Sequence, residues 1–441
     1  ADRLLGLRRA ILYGAFLISA GHISIGISSF ANSKLPFFLG LILIVIGTGL
    51  LKPNISAIVG DLYPEGGARR DAGFSIFYMG INLGAFLGQI IAGYLGEGVG
   101  WHWGFGAAGV GMLIGCAIFA LRAKSTLGNI GLHPTKLADP ILQAKQEKQV
   151  KLAIAIGLGL LALVIILAVT GIITLTASVI AKYMTYILIG IAVAFFGYVF
   201  TFGGLNSDER KRVLVILVLF IAAAIFWSAF EQAPTSLNLF ANDFTERQIG
   251  GFTVPATWFQ SINSLFIIIL APVFAWVWVS LPKMGLDFSS PAKFAIGLGV
   301  TALGFLLMIF AANSVVAGNG ALKVSFLWLT FSYLFQTIGE LCISPVGLSS
   351  MTKLSPRRYV GQMMGIWFLA ASVGNLIGGL VGGHVDPEKL DQMPQLFTAT
   401  TISLAVSAVV LAILAIPISK MMRNVDEQEK TTIEEGETAA I

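Results

Sequence analysis

The sequence predicts an all-α polytopic membrane protein, and two observations lead to this fold class. Of its 441 residues, 56% are hydrophobic and only 12% are charged, whereas roughly a quarter of a soluble protein is charged. The hydrophobic residues are also gathered into long segments, and each segment, as a helix, can cross a bilayer core of about 30 Å. The net charge of +5 lies in the loops and does not indicate a nucleic-acid partner.

Twelve candidate membrane spans follow one another along the chain. They are 10–30, 36–60, 73–95, 103–121, 151–171, 180–203, 211–241, 254–280, 293–313, 323–352, 358–383 and 394–420. The polar segments between and after them predict an organisation in five parts. These are an N-terminal bundle of four spans (1–123), a basic cytoplasmic linker (124–150), a pair of apolar, lipid-facing spans (151–205), a C-terminal six-helix bundle (206–423) and a disordered acidic tail (424–441).

The basic residues support the number of spans. Of the 28 Lys and Arg residues, 22 lie at the two chain ends and in every second loop. Cytoplasmic loops carry the excess of basic residues in membrane proteins. We therefore predict that both termini are cytoplasmic, in a multi-pass protein of the cell inner membrane.

The span 73–95 contains the sequence FSIFYMGINLGAF, which places two kinds of residue on opposite sides of one helix. Gly80, Gly84 and Gly88 share one side, which predicts close packing against another helix. Tyr78 and Asn82 share the other side, and polar groups there are costly in lipid unless they face a cavity or a partner. The pattern indicates a helix that lines a substrate pathway. The alternative is that these polar groups only bond helix to helix.

Three ionisable residues lie well inside predicted spans: Lys52, Glu231 and Glu340. Each costs roughly 2.5–3.5 kcal/mol to insert, so such groups face a partner or a wet cavity. Two acids and one base can form ion pairs that open and close, and a carboxylate that loses its partner in an apolar setting takes up a proton. These residues predict a proton-coupled transporter. The alternative is a static, structural ion pair.

Proline residues follow the three charges closely, which predicts that each helix is kinked there. They are Pro53, Pro234 and Pro345. Discontinuous helices around a central site are typical of transporters. Three tryptophans at similar depth are candidates to line a pocket: Trp227, Trp258 and Trp367.

Patterns that would indicate an enzyme or a cofactor are weak. The sequence GFGAAG at 104–109 has no strand before it, so it predicts helix packing and not a dinucleotide site. Cys116 and Cys342 lie in apolar segments without metal-binding spacing, and we interpret both as small hydrophobic residues. We predict no cofactor, no metal and no enzymatic activity, with protons as the coupling ion.

Several segments resemble one family over essentially the whole chain. FSIFYMGINLGAF is similar to the second signature of the proton-dependent oligopeptide transporter family, which belongs to the major facilitator superfamily, and ADRLLGLRRAI resembles the end of its first signature. FWSAFEQ, FQSINSLF, GELCISPVGLS and MMGIWFLA resemble stretches on the family's helices seven, eight, ten and eleven. The pair 151–205 is similar to two inserted helices of many bacterial members.

The resemblance implies a major facilitator superfamily fold with two extra helices, in which this chain holds 12 of 14 expected spans. The family's first two helices are then expected before Ala1. The first of them carries a Glu-x-x-Glu-Arg motif, which serves proton coupling and holds the peptide carboxylate.

Roles for individual residues also follow from the resemblance. Lys52 is expected to pair with Glu340 near the carboxyl end of the peptide, and Glu340 to meet the peptide amino group. Lys52, Glu231 and Glu340 form the proton-coupling set, with Glu231 as a second protonation site. The substrate-binding set comprises Lys52, Tyr78, Asn82, Trp227, Asn263, Glu340 and Trp367. Within it the amides and Tyr78 bond the peptide backbone, and the two tryptophans line side-chain pockets.

We therefore predict a proton-coupled symporter that imports di- and tripeptides by alternating access, with the lipid bilayer and its substrate peptides as its partners and no obligatory protein partner. An acid and a base at a fixed separation select the charged ends of a peptide and tolerate its side chains. Two alternatives stay open: a related carrier of nitrate or a drug-like acid, and a non-transporting sensor on the same fold.

Overall fold

The structure is a computed structural model, and it describes residues 5–31, 34–63, 67–134, 140–172, 176–286, 288–383 and 389–438. The chain divides into two compact units, Ala1–Leu175 and Thr176–Ile441. Each unit is a bundle of long helices. Many large hydrophobic side chains are exposed on the outside of both, as a surface surrounded by lipid requires.

The described residues of the first unit form five helices. They are α1 (Leu7–Ser28), α2 (Leu35–Asp61), α3 (Gly67–Gly98), α4 (Trp101–Leu127) and α5 (Pro140–Val169). Helix α1 packs against both α2 and α4, and α3 packs against α4. The turn between α3 and α4 needs Gly100, whose φ of 152° is in a region that L residues rarely adopt.

Glycines set the closest helix contact of this unit, where α1 crosses α2. A Cβ on Gly14 would lie 2.7 Å from the carbonyl oxygen of Gly47, and a Cβ on Gly21 would lie 2.7 Å from that of Gly40. Both pairs are seven residues apart on their helices, so the two backbones touch twice along one face. The glycine contact predicted for α3 is not seen in the part of the chain that the structure describes. A Cβ at 80, 84 or 88 would meet no atom within 4 Å among the described residues, so that side of α3 is open.

In the second unit, the described residues form eight α-helices and four short strands. The helices are α6 (Ala177–Phe202), α7 (Ser207–Phe230), α8 (Asn238–Phe244), α9 (Trp258–Lys283), α10 (Ser290–Ala317), α11 (Leu327–Leu354), α12 (Val360–Gly382) and α13 (Gln392–Thr438). The strands are β1 (Thr245–Glu246), β2 (Gln248–Ile249), β3 (Phe252–Thr253) and β4 (Val324–Ser325). Strand β1 pairs with β4 in parallel, and β2 pairs with β3 as an antiparallel hairpin.

Helix α7 has the best defined ends of the second unit. It begins at a capping box, in which the Asn206 side chain accepts from the Glu209 backbone N–H at 2.8 Å and the Glu209 carboxylate accepts from the Asn206 N–H at 3.1 Å. It ends at Glu231, and a π-helical turn (Ala233–Leu237) that contains Pro234 leads into α8. The helix is therefore interrupted beside one predicted charge. Helices α2 and α11 continue through their prolines.

A buried polar network joins this interruption to the last helix. The Gln232 amide donates to the Thr400 hydroxyl on α13 at 2.9 Å, and the Ser236 hydroxyl donates to the Gln232 carbonyl oxygen at 3.1 Å. All three side chains are buried. Because the groups satisfy one another, the broken helix is held at a fixed position against α13.

The pair 151–205, which was predicted as one part, is divided between the two units, with α5 in the first and α6 in the second. Helix α6 packs against α12. Beyond its end, Arg358 donates to the Gly204 carbonyl oxygen and to the Glu209 carboxylate, each at 2.8 Å, and the Tyr359 hydroxyl donates to the Gly203 carbonyl oxygen at 3.3 Å. These bonds make α6 part of the C-terminal bundle. The described side chains of α5 are mostly exposed.

Long helices occupy all twelve predicted spans. Among the described residues, ten of them are long and apolar enough to cross a membrane by length and composition. The backbone of α13 is helical as far as Thr438. The disorder expected of the acidic tail from residue 424 stays a prediction.

Candidate functional site

The second unit places a polar cluster on α9 and α11, with Glu340 at its centre. Glu340 is buried, with 8% of its surface exposed. The Asn263 amide on α9 donates to the Glu340 carboxylate at 3.2 Å and to the Thr337 hydroxyl at 2.9 Å. The Thr337 hydroxyl donates in turn to the Tyr333 carbonyl oxygen at 2.7 Å, one turn earlier on α11. The cluster therefore holds one carboxylate in a defined orientation between two helices.

The second predicted acid of the unit, Glu231, lies half-buried at the C-terminal end of α7. A carboxylate that is buried without a cation disfavours its charged form, so it tends to take up a proton or to bind a cation. Within this unit and among its described residues, Glu340 forms no ion pair. The arrangement can bind a proton or the ammonium group of a substrate.

The local helix geometry explains how the cluster is built. Thr337 and Glu340 are three residues apart on α11, so their side chains lie on the same helix face. Asn263 lies in the first turns of α9 and reaches both side chains from there. Gln260, three residues earlier on the same helix, donates to the Asn238 side-chain oxygen at 3.0 Å and is not part of the cluster. The sequence reasoning missed Thr337. Its spacing from Glu340 was the available signal.

Two of the three tryptophans predicted to line a pocket, Trp227 and Trp367, are packed among other side chains. Trp227 lies between Phe226 and Phe230, with ring centroids 5.3 and 5.2 Å away. Its indole nitrogen is buried and has no hydrogen-bond partner among the described residues. Trp367 is buried against Phe294, at 6.2 Å between ring centroids. The pocket role of both residues stays a prediction.

The first unit holds the remaining predicted residues on α2 and α3, which are in contact. Lys52 is exposed on α2, directly before Pro53. Tyr78 on α3 is 38% exposed, and Asn82, one turn later, is buried with its amide donating to the Tyr78 carbonyl oxygen at 3.0 Å. The amide of Asn82 is thus satisfied within its own helix. Its predicted contact with a peptide stays a prediction.

Comparison with known proteins identifies what this chain resembles. The family model described as the POT family matches residues 8–396. The chain is 46% identical over 433 residues to the peptide transporter YePEPT of Yersinia enterocolitica, covering 97% of this chain and 84% of that protein. It is 34% identical over 432 residues to the di-/tripeptide transporter of Lactococcus lactis subsp. cremoris, covering 96% and 83%.

A solved structure agrees with these sequence relatives. The crystal structure of the peptide transporter POT in complex with sulfate superposes with a TM-score of 0.85 at 38% identity, covering 96% of this chain and 82% of that chain. The predicted fold class, a polytopic helical protein of the major facilitator type, is therefore confirmed. The relatives are transporters and not enzymes, as the sequence predicted.

Proposed function

Because the chain belongs to the proton-dependent oligopeptide transporter family, we propose that it imports di- and tripeptides together with protons, by alternating access. One observation carries the proposal: a buried carboxylate, Glu340, that accepts a hydrogen bond from the Asn263 amide and forms no ion pair among the described residues of its unit. Such a group is costly unless it exchanges a proton or binds a cation during the working cycle. Uptake is then driven by the membrane potential, worth about 2.3 kcal/mol per charge per 100 mV.

The proposed recognition uses the parts that all short peptides share. Glu340 and Asn263 offer an acid and an amide to the peptide amino end and backbone. The roles of Lys52, Tyr78 and Asn82 in the first unit, and the proposed pairing of Lys52 with Glu340, rest on the sequence. The charged ends of a short peptide are the same whatever its side chains are, so a carrier that binds those ends can accept many peptides.

The proposed orientation follows from the loop charges. Basic residues concentrate at both chain ends and in every second loop, so we propose that both termini are cytoplasmic and that the protein resides in the bacterial inner membrane. No cofactor is needed for this mechanism, because the coupling ion is the proton itself.

The test is Glu340→Gln in proteoliposomes, which removes the charge and keeps the shape. Proton-driven peptide accumulation should be lost, while exchange of labelled for unlabelled dipeptide continues, because exchange needs no net proton transfer. Glu246→Gln is the matched control, since Glu246 is an exposed residue of strand β1, outside the Glu340 cluster, whose carboxylate accepts from the Gln248 N–H. Full accumulation by the Glu340→Gln protein would refute the coupling role.

A competition panel separates the substrates. Unlabelled di- and tripeptides should displace a labelled dipeptide, and nitrate or a drug-like acid should not. If those small anions compete and peptides fail, the protein is a related carrier of another substrate. If peptide addition produces no flux of any kind, the protein is a sensor on the same fold.

A further inference from the structure

A groove on the outer face of the second unit lies between α10 and α13 and has a volume of about 690 Å³. Its lining is mostly small and apolar on both helices. The residues are Phe288, Ser289, Ala292, Ala295, Ile296, Ala408, Val409, Ala412, Ala415, Ile416, Ser419 and Lys420. We refer to it as the α10–α13 groove. It shares no residue with the Glu340 cluster.

The polar residues of the α10–α13 groove are all at one end. Ser289 precedes the first residue of α10, and Ser419 and Lys420 lie where the candidate span of α13 ends. The loop charges predict that this end is cytoplasmic. Lys420 is exposed and forms no ion pair within the part of the chain that the structure describes. One end of the groove therefore offers a cation and two hydroxyls at the membrane surface.

The length of the groove fits one leaflet of a membrane. Along α13 it runs from Ala408 to Lys420, and twelve helical residues span about 18 Å. Half of a hydrocarbon core of about 30 Å is close to this length. Alanines at positions 292, 408 and 412 leave the space between the helices unfilled. An acyl chain lying in it would bring its headgroup to the polar end.

We propose that the α10–α13 groove binds an anionic phospholipid of the cytoplasmic leaflet, with an acyl chain along the alanines and the phosphate against Lys420, Ser289 and Ser419. The positive charge of Lys420 favours an anionic lipid over a neutral one. A basic residue at the cytoplasmic end of a groove between transmembrane helices attracts acidic headgroups, and each lysine near the surface strengthens such binding about fivefold.

The headgroup arm of the test uses the full chain and native mass spectrometry with added phosphatidylglycerol or phosphatidylcholine. Lys420→Ala should weaken binding of the first phosphatidylglycerol about fivefold and leave phosphatidylcholine binding within twofold. Lys283→Ala is the matched control, because Lys283 is exposed at the end of α9 and does not line the groove. Equal effects of the two alanine variants would overturn the headgroup assignment.

The acyl-chain arm fills the groove. Ala412→Trp should weaken binding of both lipids, while Ala405→Trp, at an exposed alanine of α13 outside the groove, should not. Ala412→Leu gives the same comparison if the tryptophan variant fails to fold. Equal lipid binding by the variants at 405 and 412 would overturn the proposal. If the wild-type chain forms dimers and Ala412→Trp abolishes them at unchanged lipid binding, a second copy of the chain occupies the groove and the proposal is overturned.

Discussion

Replacing Asn263 with leucine removes the amide that orients Glu340 and keeps a side chain of similar size. In the structure this amide makes two hydrogen bonds, at 3.2 Å to the Glu340 carboxylate and at 2.9 Å to the Thr337 hydroxyl. A hydrogen bond to a charged group contributes roughly 1.5–3 kcal/mol, and one to a neutral group roughly 0.5–1.5 kcal/mol. The loss is therefore larger for steps in which Glu340 is ionised.

The magnitude follows from these free energies. Each ~1.4 kcal/mol of lost stabilisation is about a tenfold loss in rate, so kcat/KM of proton-driven uptake should fall by roughly 10- to 150-fold in Asn263→Leu. Peptide exchange, which is expected to continue in Glu340→Gln and so does not require an ionised Glu340, should fall by roughly 2- to 13-fold. The two activities should thus separate in the same protein.

The assay is uptake of labelled dipeptide into proteoliposomes, with an imposed proton gradient for uptake and preloaded peptide for exchange. Gln260→Leu is the matched control, since Gln260 lies on the same helix and bonds Asn238 and not Glu340. If the kcat/KM of proton-driven uptake by Asn263→Leu is within twofold of this control, the reasoning is refuted, because the hydrogen bond to Glu340 then does not contribute to transport.

Two further predictions concern stability. Gly47→Leu should lower the free energy of unfolding by about 1–3 kcal/mol, because its Cβ would lie 2.6 Å from the Gly14 carbonyl oxygen. The matched control is Gly49→Leu, whose side chain would face open space. In a thermal scan the melting temperature of this control should stay within about 1–2 °C of wild type. A double-mutant cycle of Thr400→Val with Gln232→Leu should give a coupling of about 0.6–1.7 kcal/mol, the range for interhelical hydrogen bonds in membranes; a coupling of zero in denaturant unfolding would contradict the network.

The helices could be predicted because apolar segments long enough to cross a bilayer alternate with polar loops, and the basic residues fall in every second loop. Each predicted span corresponds to a long helix, and Glu231 was correctly expected beside a helix interruption, at Pro234. At Pro53 and Pro345 the helix continues, and the kinks expected there stay a prediction. Proline marks a lost backbone donor, and the neighbouring helices decide whether the helix ends there.

Helix partners could not be predicted from glycine spacing. Among the described residues no helix meets Gly80, Gly84 or Gly88, where the pattern pointed to a close contact, whereas Gly14 and Gly47 touch although the sequence reasoning did not single them out. Small residues permit close approach, but the chain connection and the opposing surface choose which helix takes it. A single sequence shows where the small residues lie, but it does not show which helix packs against them.

Part of the candidate site was predicted from chemistry and part was not. The cost of a charge in an apolar span singled out Glu340, and the structure shows it buried and bonded. Asn263 came from the family resemblance, because a lone amide in a span has an ordinary structural explanation. Thr337 has the same ambiguity, since hydroxyls in helices usually bond their own backbone, and this one does so as well as accepting from Asn263.

The bonds at the end of α6 bear on how this fold could be shortened. Excising 151–205 would leave the Arg358 guanidinium and the Tyr359 hydroxyl without the Gly203 and Gly204 carbonyls that they now meet. A minimal carrier would therefore need a replacement acceptor at that corner, and a chimera that exchanges α6 should keep the residues that follow it.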